Sequence, residues 1–185
     1  MQRPSSSSKF PLGSSLPKFT LKNVDGRTID NNYFQGSKAA LVVFTCNHCP
    51  YVKGSDNEFL EIVKRFMSRG LKVIAISSND AEKYPEDGPE KMKEKAKALD
   101  LPYPYLYDAS QEVARRFDAQ CTPECYLFDE KLELVFHGAL NDSPREPSRV
   151  SKHFLSEAVE AVLNSEIPAL QYAPPLGCSI KWSHT

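Results

Sequence analysis

Apolar residues along this chain fall into two kinds of run. "AALVVF" (39–44) and "LKVIAI" (71–76) are almost continuously apolar over strand-sized lengths, as strands covered on both faces should be. Between them Val52, Phe59, Ile62, Val63 and Phe66 recur at helical spacing, with Glu61 and Arg65 on the outer side and Gly70 closing the helix. Strand, helix and strand over residues 39–76 make a βαβ unit, which predicts parallel strands joined by a right-handed crossover. Upstream, "FTLKNVDGRTI" (19–29) alternates around Asp25-Gly26, a hairpin signal.

Downstream, Pro89 can open a helix whose Met92, Ala96 and Leu99 share a face. Asp108 and Gln111 have capping-box spacing ahead of Val113, Ala114 and Phe117. "YLFD" and "LELVF" flank Glu130-Lys131 as an antiparallel hairpin, and a final helix is expected over 148–164. This order predicts an α/β fold: a central mixed sheet with helices on both faces and an N-terminal β-hairpin. Residues 1–16, rich in Ser and Pro, read as a flexible segment, 17–166 as the folded domain, and 167–185 as an extended tail. In that tail Cys178, Ile180 and Trp182 would share one strand face and dock it on the domain.

A length of 185 residues suits one well-packed domain. The 23 Lys and Arg nearly balance the 24 Asp and Glu, so no global field draws nucleic acid or an anionic membrane. Apolar runs stop far short of the ~20 residues a membrane helix needs. The first 18 residues show no secretory h-region, which makes a cytoplasmic location the expectation. Their Ser-rich, acid-free composition leaves a transit peptide as the lesser reading. Five cysteines, an odd number, do not fit a secreted disulfide scaffold, leaving thiol chemistry, metal binding or burial.

The chemistry concentrates in "VVFTCNHCPYV" (42–52). Cys46 stands where a parallel strand ends and a helix begins, the sheet edge at which α/β proteins place their sites. A helix N-terminus lowers a thiol pKa, so Cys46 is expected to be partly thiolate, with His48 adding a second local donor or cation. Cys49, a turn further on, could expel the product thiol from a mixed disulfide. Two other readings stay open. "CTPEC" supplies Cys121 and Cys125 as a second half for a zinc site, and the whole pair could be inertly buried.

A hairpin, strand-CxxC-helix, a Thr-Pro pair before "YLFD" and a last helix, in that order, resemble the thioredoxin superfamily in its redoxin and antioxidant-protein branch. "CNHCPYVKGS", "YPEDGPEKM", "PYLYDASQEVA", "CTPE" and "GCSIKW" look like a subgroup of uncharacterised bacterial thiol-disulfide oxidoreductase homologues. The resemblance implies Cys46 as nucleophile, Cys49 as resolving thiol, and Pro123 as a cis proline after Thr122 facing them, with Asn47 and His48 in support. It implies no cofactor or resident metal. Its partners would be protein or small-molecule disulfides and thiols, or peroxide, with no nucleic acid or membrane. Thr45 and Ala40 depart from the thioredoxin pattern, which has tryptophan and a buried acid there; Ala39 and Val43 depart from the peroxiredoxin PxxxTxxC.

The expected activity is thiol-disulfide exchange at Cys46 and Cys49. The alternatives are a thiol peroxidase with a non-standard pocket, or a metal-binding or redox-sensing module using Cys46, Cys49 and Cys121. Cys121 and Cys178 are additional candidate redox thiols, each with packing as the plainer role. His137 and His153 read as structural or exposed, His184 as part of a mobile terminus, and "NDSPREPS" (141–148) as a surface loop.

Overall fold

A computed structural model describes residues 10–183. His184 and residues 1–9 of the expected flexible segment lie outside them. The hairpin forms as β1 (Thr20–Asn23) and β2 (Thr28–Asp30). Gly26 has φ +89°, the left-handed conformation that this turn requires and glycine adopts at no steric cost.

β3 (Ala39–Phe44), α1 (Pro50–Met67) and β4 (Leu71–Ser77) realise the βαβ unit, with β3 and β4 parallel in register from Ala39↔Leu71 to Phe44↔Ile76. Every residue of β3 is buried. Its alternate side chains enter two separate cores: Ala39, Leu41 and Val43 pack on one face, Ala40, Val42 and Phe44 on the other. Two covered faces are the physical reason the run is apolar without alternation.

Then follow α2 (Pro89–Ala98), β5 (Tyr105–Tyr107), α3 (Glu112–Phe117), β6 (Cys121–Thr122), β7 (Glu124–Phe128), β8 (Leu134–Gly138), α4 (Phe154–Leu163), β9 (Tyr172–Ala173) and β10 (Cys178–Ser179). The main sheet has the order β2-β1-β5-β4-β3-β7-β8-β9 and mixes parallel and antiparallel pairs, while β10 and β6 pair separately. No described helix is long and apolar enough to cross a membrane.

Three local expectations change, and the tail docks on the domain. Phe10 and Leu16 are buried and the Gly13 N–H donates to Leu134 O at 2.8 Å, so residues 10–16, inside the segment read as flexible, are packed on the domain. The last helix starts at Phe154, because the N–H groups of Ser151 and Lys152 donate to Asp142 Oδ1 (2.9 and 3.1 Å) and hold that stretch extended. Asp108 and Gln111 do not form a capping box. Asp108 Oδ2 accepts from Ala114 N at 3.0 Å, while Gln111 Nε2 donates to Ser78 O (2.6 Å) and to Lys181 O (3.0 Å). The tail is woven into the fold: β9 runs parallel beside β8, and β10 lies antiparallel on β6.

Candidate thiol site

Cys46 lies beyond the end of β3, and Cys49 is the residue from which α1 starts, with Pro50 in its first turn. Both are 0% exposed, and with Val52 they form a small packed group that Cys178 joins from the tail. The peptide bond between Thr122 and Pro123 is cis. Thr122 faces both sulfurs: its Oγ1 lies 3.4 Å from Cys46 Sγ, and its carbonyl O lies 3.2 Å from Cys49 Sγ.

The two thiols pack together, and their mutual interaction dominates their acidity. It pushes Cys46 up, together with burial and the nearby Asp87 carboxylate, against the Thr122 hydroxyl. It pulls Cys49 down to about 4, helped by bonds from Cys178 and the Val52 N–H, against burial. The interaction favours one thiolate for the pair and draws it toward Cys49. Yet the 3.2 Å contact to Thr122 O is a hydrogen bond only when Cys49 carries the proton. One proton thus has two seats, and when it sits on Cys49, Cys46 Sγ can accept from Thr122 Oγ1.

The loop between the cysteines is held by a buried acid that sequence reasoning missed. Asp87 Oδ1 accepts from Asn47 N (2.7 Å) and His48 N (3.1 Å); Oδ2 accepts from Asn79 Nδ2 (2.8 Å) and pairs with His48 Nδ1. Asn47 is fixed further by donating to Glu86 O (2.8 Å) and accepting from Tyr105 Oη (3.0 Å). His48 stacks on Tyr84, ring centroids 5.4 Å apart, and its nitrogen faces Asp87. His48, expected as a local donor or cation beside the sulfurs, is paired with Asp87. Asp87→Asn should cost about 1–3 kcal/mol in urea unfolding, because a single carbonyl cannot accept from donors on both sides.

A second buried acid anchors the other wall. Glu124 follows Pro123; its Oε2 accepts from Gln120 N (2.7 Å) and Cys121 N (3.0 Å), and its Oε1 from Tyr126 Oη (2.8 Å) and His137 Nε2 (2.6 Å). Its signal was present in the sequence: one charged residue inside the otherwise apolar "ECYLF".

Residues 12–137 match the family model described as AhpC/TSA. The chain belongs to the AhpC/TSA family. The solved structure of an uncharacterized conserved protein from Geobacillus kaustophilus is 41% identical to this AhpC/TSA member, covers 100% of both chains and has a TM-score of 0.90. A hypothetical protein from Sinorhizobium meliloti 1021 gives 35% and 0.89, covering 95% of this chain and 97% of that one. A thioredoxin domain of a thiol-disulfide oxidoreductase from Bacteroides vulgatus, at 18% identity and a TM-score of 0.61, covers 74% of this chain and 94% of that one and shows the thioredoxin-like fold. Rice chloroplastic peroxiredoxin Q is 28% identical over 59% of this chain, and the match spans 46% of the rice protein's length.

Within this family member the expected site residues Cys46, Asn47, His48, Cys49 and Thr122 come together, and Pro123 adjoins them. Cys178 joins the sulfurs rather than packing elsewhere. Cys121 is buried in β6 outside this group, its thiol pushed up by burial and then by Glu124. Cys125 is a core residue of β7. Among the described residues the potential metal donors that cluster are Cys46, His48 and Asp87, within 4.8 Å of one another, not Cys46, Cys49 and Cys121.

The pair also predicts how stability depends on pH. Cys49, depressed in the fold, contributes stability that is full above the unfolded thiol value of ~8.5 and is lost as pH falls toward about 4. Cys46, raised, contributes stability lost at higher alkalinity. Urea midpoints of the reduced protein should therefore rise with pH from acid to mildly alkaline more than those of a Cys46→Ser, Cys49→Ser double variant.

Proposed function

We propose that this protein is a thiol-disulfide oxidoreductase whose working couple is Cys46 and Cys49. The observation that carries this reading is the packing of Cys46 and Cys49 together at the start of α1, with Thr122 Oγ1 3.4 Å from the Cys46 sulfur and Thr122 O 3.2 Å from the Cys49 sulfur. A thiol-disulfide oxidoreductase from Bacillus thuringiensis, ResA, is 20% identical over 69% of this chain and 69% of its own length, which agrees with such an activity.

In the cycle, the shared proton passes from Cys46 to Cys49, which then donates to Thr122 O, while Thr122 Oγ1 supports the Cys46 thiolate. Cys46 attacks one sulfur of a substrate disulfide; the S–S bond breaks, and the departing thiolate takes the proton from Cys49. The Cys49 thiolate then attacks Cys46, forming the Cys46–Cys49 bond and releasing the second substrate sulfur as thiolate. Two electrons leave the dithiol and reduce the substrate disulfide. In a cytoplasmic setting the couple would rest as the dithiol.

The test is titration of the reduced protein with glutathione buffers. A Cys46–Cys49 disulfide should form with a measurable potential and the free-thiol count should fall by two; if both cysteines stay alkylatable at the oxidising end, the reading is wrong. A peroxidase reading draws on the family match and on the rice relative's name. Against it, Val43 and Ala39 are buried core residues and offer no hydroxyl to a peroxide. Oxidation by substoichiometric hydrogen peroxide at the rate of free cysteine would eliminate it.

A further inference from the structure

The edge of β6 beside the two cysteines is occupied by the protein's own chain. Cys178 pairs with Thr122 and Ser179 with Cys121, antiparallel, and the Ile180 N–H donates to Gln120 O at 3.1 Å. Gly177 sits so close that a Cβ there would lie 2.1 Å from Thr122 O, so only glycine lets the strand reach this backbone. An extended protein substrate adding a strand at this edge would meet a place already taken.

The seat is built rather than incidental. Lys181 N donates to Asn79 Oδ1 (2.9 Å) and Ser183 N to Gln111 Oε1 (2.9 Å), Ile180 is buried, and Arg115 lies 4.6 Å over the Trp182 ring. These anchors hold Cys178 against the group formed by Cys46, Cys49 and Val52. Of the sulfurs in this group, Cys178 alone is partly exposed.

We propose that the C-terminal strand is a built-in disulfide acceptor, Cys178 taking the disulfide from the buried Cys46–Cys49 couple and presenting it at the surface. The inference rests on the reading of that couple given above. Cys178 attacks Cys49 Sγ, the Cys46–Cys49 bond breaks, the Cys49–Cys178 bond forms, and the proton of Cys178 passes to the departing Cys46. No net oxidation occurs, so the step needs no further oxidant. An external thiol then meets a disulfide with one accessible sulfur.

The state of the couple gates the step. In the reduced protein the Cys178 thiol is pushed up to about 11, by burial first and then by its bond to Cys49 and the charge there. Oxidation of Cys49 removes the two contributions from Cys49; burial still raises the thiol, and Lys181 and Arg145 still favour the thiolate. Cys178 becomes a better nucleophile when there is a disulfide for it to attack.

The test is non-reducing peptide mapping by mass spectrometry after equilibration of the full chain with glutathione disulfide. Wild type should yield both Cys46–Cys49 and Cys49–Cys178 peptides, and Cys46→Ser should yield Cys49–Cys178 alone. Gly177→Val, which wedges the strand off Thr122 without touching a sulfur, should cut the Cys49–Cys178 yield about tenfold by lowering the effective concentration of Cys178. Cys178→Ser serves as the separating control. If Cys46–Cys49 forms there, yet Cys46→Ser leaves Cys49 only as a glutathione adduct with Cys178 free, this inference falls and the couple stands. If Cys46–Cys49 does not form in Cys178→Ser, the couple itself falls.

Discussion

Replacing either Cys46 or Cys49 with serine should lower turnover of glutathione disulfide by about 10³-fold or more, the scale expected when a nucleophile is deleted from a unit that acts together. The two variants should fail differently. With Cys49→Ser, Cys46 still attacks but nothing expels the product, so a mixed disulfide at Cys46 accumulates and is visible as an added glutathione mass. With Cys46→Ser, Cys49 loses the donor that does most to hold it down at about 4, so its titration, followed by thiolate absorbance, moves to higher pH. Wild-type turnover from Cys46→Ser would remove it as the nucleophile. A mixed disulfide that forms at Cys49 with the same rate in Cys46→Ser would transfer that role to Cys49.

The largest effect on stability is expected at Glu124. Glu124→Ala leaves the N–H groups of Gln120 and Cys121, the Tyr126 hydroxyl and the His137 ring without their acceptor inside the protein. Removing one member of such a buried set costs about 3–5 kcal/mol. At about 2–4 °C per kcal/mol for a chain of this size, that lowers Tm by roughly 10 °C. Glu124→Gln should cost less. Its carbonyl can still face the two backbone donors while its amide turns to Tyr126 and His137, which can accept; His137 Nδ1, without a partner among the described residues, then bears the unsatisfied hydrogen. Because Glu124 also fixes the segment that presents Thr122 to Cys46, Glu124→Ala should slow turnover even below its melting range. Equal melting curves for Glu124→Ala and wild type would show the network to be unimportant.

Much of the frame was legible in residue order. "AALVVF" and "LKVIAI" read as doubly covered strands because a strand packed on both faces has no polar side to display, and they form β3 and β4. The hairpin at Asp25-Gly26 rests on local turn chemistry, and α1 and α2 on apolar spacing within each helix. The boundaries that failed depend on side-chain bonds from elsewhere in the chain. Asp142 holds 151–152 extended, and Gln111 turns away from a cap toward Ser78 and the tail.

The candidate site divides in the same way. Cys46 and Cys49 lie three residues apart, and chain geometry alone keeps their sulfurs near each other at a strand-to-helix junction; Thr-Pro ahead of an apolar strand is likewise a short-range pattern. Asp87 was hidden, because the polar connection after β4 carries several acids and no local feature marks the one that folds back onto Asn47 and His48. The place of Cys178 was equally out of reach. Its spacing with Ile180 and Trp182 announces a face to be buried, but which edge receives that face depends on β6 lying unpaired beside the sulfurs and on Gly177 fitting against Thr122. Periodicity and turn chemistry act within a few residues and can be read along the chain. The acid that clamps the loop between the two thiols and the third sulfur beside them take their places only once distant segments close together and exclude water.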